Sequence, residues 1–567
     1  MTLQAETICG QTVPDLRAPD QVMTLSRLGS FFPHRLSFMR SFLRRVSGEN
    51  AEMTVSVCAL DRDGYGHMVL SLPVSGRLYS LIAFSRPLDD ADRTDRVIAT
   101  KWDASFCLFD GLPDADDIDA LSSQVTHQEA GLYHDKVLTL SRANKSVRLF
   151  AHVVDQLAAG QQPDRDKLTA TGYLMRTTAV YGNGKFGIAD RDKVMGYDGL
   201  AGPFQAEMLT VFLIREFTVL LAEHCARQNG GDQAAVIDLA TRRYIGVGNS
   251  TGLGMAPFLV THPCLVHSWI MAREVALARA LGVRTASSEQ LARFEGLLDR
   301  ARAHVRQWVV DDNDQMARNR QLITELDRLS DGLAVRPLSS EAPFHDAFSR
   351  VQSCSEDAQE MMASLLIELI PEQVDGLADC MANPHIPQLD PGMSVAGLSA
   401  LLDQHYSWTE AVDLTDPATQ ALFWYVSEEK LEPRLGNRHD EDGSDLEMPF
   451  NIPLYVNQLR SALKGANDRH SVAEFLMQWP ELRHIVRRVQ TTARYPYGEI
   501  RDNLVDEGCR PIDLLRCKLS FFGAGKFDPK SDRWTRITLY QGAPTAAELS
   551  HPDKAGLDDW LFALHPA

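Results

Sequence analysis

Between residues 52 and 110 the apolar positions come in short dense runs, at 53–60, 67–74, 77–85, 96–102 and 105–111. They are rich in Val, Ile, Leu and Phe, and turn signals such as Asp61-Arg62-Asp63-Gly64 separate them. Such spacing is too tight for parallel crossovers and predicts an antiparallel sheet. Before it, Leu36, Met39, Leu43 and Val46 fall on one helical face. That helix opens near Phe32-Pro33 and closes at Gly48, with Arg35, Arg40, Arg44 and Arg45 off the stripe, in solvent.

From residue 135 the helical period returns, over 135–159, and then governs the chain. The stretch from Gly202-Pro203 to Ala226 is apolar on almost every face, which predicts a helix buried all round. A second buried helix is expected over 264–281, and a long one, charged on one side, over 299–329. Helical periodicity recurs at 356–370 and 397–404, Asp416 reads as a helix cap, and 516–541 turns partly β. The pattern predicts an α+β fold, mainly helical, with a small antiparallel sheet near the N-terminus and a large helical body. It divides into an α+β domain (1–160), a central helical domain (161–340) and a mostly helical C-terminal domain (341–567).

Composition adds bounds. With 44% apolar residues the chain can bury a sizeable core. A net charge of −19 opposes nonspecific nucleic-acid binding. The opening residues MTLQAETICGQTVPD lack a secretory pattern, and no run of 18 apolar residues marks a membrane span. The expectation is a soluble cytoplasmic protein with no nucleic-acid or membrane partner, and homo-oligomerisation stays open. Nine scattered cysteines without a CxxC pair predict reduced, mostly buried thiols rather than a zinc site or a disulfide framework.

Candidate chemistry lies in two glycine-rich segments. The first is Tyr181-Gly182-Asn183-Gly184-Lys185-Phe186-Gly187, preceded by Arg176. Its Gly-Asn-Gly turn presents amides, Lys185 neutralises an anion, and Tyr181 exchanges a proton where a cation lowers its pKa. Its motif echoes at Gly523-Ala524-Gly525-Lys526-Phe527, too briefly for a repeat. The second segment is Gly246-Val247-Gly248-Asn249-Ser250-Thr251-Gly252-Leu253-Gly254. No Lys follows its glycines, which excludes a P-loop. A dinucleotide loop needs a preceding strand, an immediate helix and an acid further on; Pro257 and Pro263 delay the helix. The favoured reading is a nest of amides with Asn249, Ser250 and Thr251 around an anion.

Tyr181–Gly187 and Ser250 are superficially similar to the aromatic amino-acid ammonia-lyases, which pair a glycine-rich tyrosine loop with an Ala-Ser-Gly that cyclises into an electrophile. Asn249-Ser250-Thr251-Gly252 does not provide that triplet, so the similarity implies only an elimination reaction. His262 and His267, five residues apart, miss the spacing of metal ligands on a helix, and the acidic loop 439–447 lacks that of a calcium loop.

Further pocket walls are expected from Glu429 as an acid or base, Arg434 as an anion clamp, and Arg494 with Tyr497 as ligand contacts. Together these residues predict an enzyme acting on a small carboxylate-bearing metabolite by acid/base chemistry, of lyase or isomerase type. No cofactor is favoured. The alternatives are an NAD(P)- or flavin-dependent oxidoreductase using 246–254 for a pyrophosphate, and a noncatalytic helical interaction protein.

Overall fold

The computed structural model describes residues 7–8, 11–12, 16–31, 35–49, 51–89, 102–124, 134–177, 181–182, 185–186, 194, 196–252, 263–307, 313–381, 389–415, 425–427, 432–434, 452–501, 516, 519–523, 526–529 and 534–551. The β-rich runs form strands β1 (Thr54–Leu60), β2 (Gly66–Val74), β3 (Arg77–Ser85) and β4 (Ala104–Asp110). The run expected at 96–102 falls almost wholly outside the described residues, Trp102 excepted. The sheet then continues through β5 (Val137–Lys145), β6 (Tyr173–Thr177), the hairpin β7 (Tyr181–Gly182) and β8 (Lys185–Phe186), β9 (Gly246–Gly252), β10 (Lys526–Pro529) and β11 (Trp534–Leu539). Its order is β10-β11-β9-β6-β5-β4-β3-β2-β1, with β7 and β8 branching from β5. Every pairing is antiparallel except β6 with β9.

The expected small antiparallel sheet near the N-terminus is therefore wrong in size and kind, although α+β is the class. The sheet has eleven strands, is mixed, and draws strands from 54–145, 173–252 and 526–539. Two misread segments explain the difference. Val137–Lys145 is buried along its whole length, so it carries polar residues on both faces and lacks the polar-out, apolar-in pattern of a half-exposed strand. Gly246–Gly252 lacks the β-branched density of a strand.

The framing helices are α1 (Phe38–Gly48), α2 (Ala115–Gln124), α3 (Gln205–Gly230), α4 (Pro263–Leu281), α5 (Glu356–Ile367) and α6 (Arg483–Arg494). The 26-residue α3 lies across β2, β3, β4, β5, β6 and β9. That position buries it on all sides, as its apolar circumference predicts. Thr210 and Thr139 share a buried hydroxyl hydrogen bond of 2.7 Å between helix and sheet. On the opposite face a smaller apolar cluster, with Val69, Ile82, Phe84, Cys107, Phe109 and Leu140, packs under Ile118 and Leu121 of α2.

Other expectations shift as well. The helix read at 299–329 belongs to two helices, Ser288–Arg306 and Asn313–Val335. The arginines of α1 and its approach are not in solvent. Arg40 is buried and paired with Glu368 at 2.5 Å, and Arg35 bonds Asp375. These pairs fasten the N-terminal segment to the acidic side of α5 and the helix after it. Cys58, Cys107, Cys225, Cys264 and Cys354 are reduced, as expected, but Cys380 is disulfide-bonded, against the expectation. Among the described residues no helix is long and apolar enough to cross a membrane.

Candidate functional site

Side chains two apart on a strand share a face, and directly paired residues share it too. Leu140 therefore shares its face with Arg142 and Asn144 along β5. Pairing adds Ser105 opposite Arg142, and Arg176 opposite Asn144. Gly248 is next to Arg176 across the parallel ladder. The result is a polar row, Ser105, Arg142, Asn144 and Arg176, on the face that otherwise carries the small apolar cluster. With strands about 4.8 Å apart and a rise near 3.4 Å per residue, its ends are about 12 Å apart.

All four residues are buried, the least so Arg142 at 6% exposure. Arg142 stacks its guanidinium over Trp102 at 4.5 Å. Asn144 Oδ1 accepts from the Asp103 amide at 3.1 Å, and Asp103 Oδ2 accepts from the Lys145 amide at 2.8 Å. Asn144 Nδ2 and Ser105 Oγ are buried without a hydrogen-bond partner. A buried polar atom left unpaired costs roughly 1–3 kcal/mol. Two guanidinium groups, an amide NH2 and a hydroxyl make a donor-rich surface, suited to a ligand that presents acceptor oxygens.

The described part of the second segment is a paired strand rather than an open turn, and its Gly246 and Gly248 serve packing. At Gly248 and Asn249 the strand is paired on both edges, to β6 and to β11, while Gly246 pairs with β6 and Val247 with β11. Its ladders engage the amides that a nest, or a pyrophosphate loop, would need free. Gly248 is required because the ring of Tyr173 lies over it; a β-carbon there would come within 2.7 Å of that ring.

Of the residues singled out from sequence, Arg176 lies in the row. Tyr181 pairs through its backbone with Leu140, and Lys185 with Gly182, so their hairpin runs beside the strand of Arg142. Asn249 is paired with Thr177, one residue along from Arg176. That single step turns it to the opposite face, where its Nδ2 donates to Thr177 Oγ1 at 3.3 Å. Ser250 and Thr251 continue the same strand, against Arg536 and Thr535. Asn183, Glu429 and the acidic loop 439–447 lie outside the described residues. Arg434 belongs to a separate hairpin, Tyr425–Ser427 with Glu432–Arg434.

Arg494 and Tyr497 are not part of this face. Arg494 is exposed in the last turn of α6. Tyr497 is buried, and its hydroxyl donates to the Arg17 carbonyl at 2.7 Å. Its backbone amide donates to Nδ1 of His267 at 3.2 Å, and burial pushes the His267 pKa down to about 4. This cluster joins the N-terminal segment to α4.

Sequence reasoning missed Ser105, Arg142 and Asn144. Their signal was Arg142 and Asn144 alternating at the polar end of an otherwise apolar run, Val-Leu-Thr-Leu-Ser-Arg-Ala-Asn-Lys. Among the described residues no three His, Cys, Asp or Glu side chains gather as a metal site would require. No family model, curated protein or solved structure matches the chain.

Proposed function

We propose that the protein is an enzyme that takes a small carboxylate-bearing metabolite against the sheet face of Ser105, Arg142, Asn144 and Arg176. The observation that carries this reading is the pair of unpartnered buried donors, Ser105 Oγ and Asn144 Nδ2, flanked by two buried arginines. A carboxylate supplies acceptors to both of these atoms, and guanidinium groups bind carboxylates in a fork.

The chemistry proposed is proton transfer, of lyase or isomerase type. Tyr181 and Lys185 are the acid/base candidates, because their hairpin is paired onto the strand that carries Arg142. The arginines then hold the negative charge that develops as a proton leaves. The ladder-bonded backbone of Gly248 and Asn249 and the opposite-facing Asn249 side chain have no part in it.

The test is mass spectrometry of small molecules released from the purified protein, followed by calorimetric titration of mono- and dicarboxylates. The expected result is an anion bound by the wild type and lost, by tenfold or more in affinity, in R176Q and R142Q. Retention of that affinity in both variants would overturn the site. A bound anion with no turnover, unaltered by substitution of Tyr181 or Lys185, would overturn the acid/base chemistry alone.

A further inference from the structure

An edge strand exposes a row of backbone donors and acceptors that another strand can join, and proteins usually blunt it with charge, proline or a bulge. β1 is the terminal strand of the sheet. From Thr54 to Leu60 it carries no charged residue and no proline. Its one blunting device is a register shift between Val55 and Val57. Thr54, Val55, Ser56, Cys58 and Ala59 are exposed, and Val55 is among the most exposed large apolar residues of the described chain, at 47%.

Two charges flank the strand at equal distance from its centre. Glu52 stands five residues before Val57 and Arg62 five residues after it. Both are exposed, and among the described residues neither forms an ion pair. We infer that a second copy of this chain pairs with the edge, β1 antiparallel to β1, about a two-fold axis at Val57. In that register Glu52 of each copy meets Arg62 of the other at both ends. Val55 then faces Ala59, Cys58 faces Ser56, and no like charges are opposed. A two-fold contact of this kind is self-complementary and closes at a dimer, so the free edge is removed without building a fibre. The uncharged strand also gives a chain of net charge −19 a place where two copies can approach without repulsion.

Cys58 supplies a probe, since it is exposed and free. In the two-fold register the two Cys58 side chains are diagonal neighbours, about 7–8 Å apart. A bis-maleimide of matching length is expected to link wild-type chains into a dimer, and C58S to abolish the link. Sedimentation equilibrium is expected to give twice the 63.1 kDa chain mass. V55K/A59K places like charges opposite each other at two symmetric positions and is expected to weaken association by about tenfold or more. V55E/A59K pairs opposite charges there and is expected to restore it. All these side chains are exposed, and circular dichroism confirms that the fold is kept. A wild type that stays monomeric at every concentration, or a dimer that V55K/A59K leaves intact, overturns the inference.

Discussion

The ring of Tyr173 lies over Gly248, so close that a β-carbon at Gly248 would stand 2.7 Å from it. The two residues are on neighbouring parallel strands, and Gly248 is also the partner of Arg176. Packing of the ring against the glycine thus sets how closely the two strands approach beside Arg176. In G248A the methyl group forces the ring to move or the strand to shift. Overpacking of this kind costs about 1–3 kcal/mol. Urea denaturation is expected to show a lower midpoint with an unchanged slope. Tyr173→Ala in the same background removes the clash, so the double variant is expected to lose less than the two single losses added together. Strict additivity would show that the ring and the glycine do not meet.

Arg215 donates five hydrogen bonds to backbone carbonyls, those of Ile245, Arg242, Arg243, Pro544 and Ala543. It joins the start of β9 to the chain just after β11, and so fixes the two strands beside the candidate site. Burial lowers its pKa, against the opposing pull of Glu216. Arg215→Met leaves these carbonyls buried and unsatisfied, and Arg215→Lys cannot span them with a single ammonium. Both variants are expected to be destabilised, by roughly 3–5 kcal/mol for the methionine. Amide exchange is expected to accelerate first in β9 and β11. A lysine variant of wild-type stability would show that the fork is not what holds the strands.

Much of the fold was legible where apolar period and burial agree. The strands at 66–85 alternate or run apolar between clear turns, and α3 is apolar on every face because it is covered on every face. The candidate site was harder. Arg176 stood out for its neighbours, but which strand faced it depended on long-range pairing that no local pattern encodes. Asn249 shows the cost of one residue of register: adjacent in the sheet, it points to the other side. Glycines at 246 and 248 read as a ligand loop because sequence does not distinguish room for an anion from room for a tyrosine ring. Arg40 read as a solvent residue because its partner, Glu368, is 328 positions away.

Glu360 sits at the centre of a second buried network. Arg17 donates to it at 2.8 Å and also holds Glu274, while Arg27 and Arg273 approach from either side. Burial alone would raise its pKa, but these cations hold it down to about 2. The folded value lies below the ordinary 4.5. Its contribution to stability is therefore complete above about pH 4.5 and is lost as pH falls from there towards 2. E360Q is expected to be less stable at neutral pH and to show a shallower loss of stability across that acid window. An acid-unfolding curve for E360Q parallel to the wild type would refute this assignment.

His267 produces a pH dependence at milder acidity. Burial holds its pKa near 4, against an ordinary 6.5, so the folded state keeps the ring neutral and lets Nδ1 accept from the Tyr497 amide. The unfolded chain binds the proton more readily between these values. Stability is complete above about pH 6.5 and declines as pH falls towards 4. His304, which burial pushes down to about 3, adds a loss that begins in the same range and extends lower. His267→Asn keeps an acceptor near the Tyr497 amide but does not titrate. Its stability is expected to be flatter than the wild type's between pH 6.5 and 4, leaving the parts due to His304, His405 and His484, whose pKa values burial also lowers. Tyr497→Phe removes the hydroxyl bond to the Arg17 carbonyl and keeps the backbone amide bonded to His267, and is expected to cost about 1 kcal/mol at every pH in that window. Thermal unfolding of the three proteins across the window separates the two effects. A His267→Asn profile as steep as the wild type's would place the titrating group elsewhere.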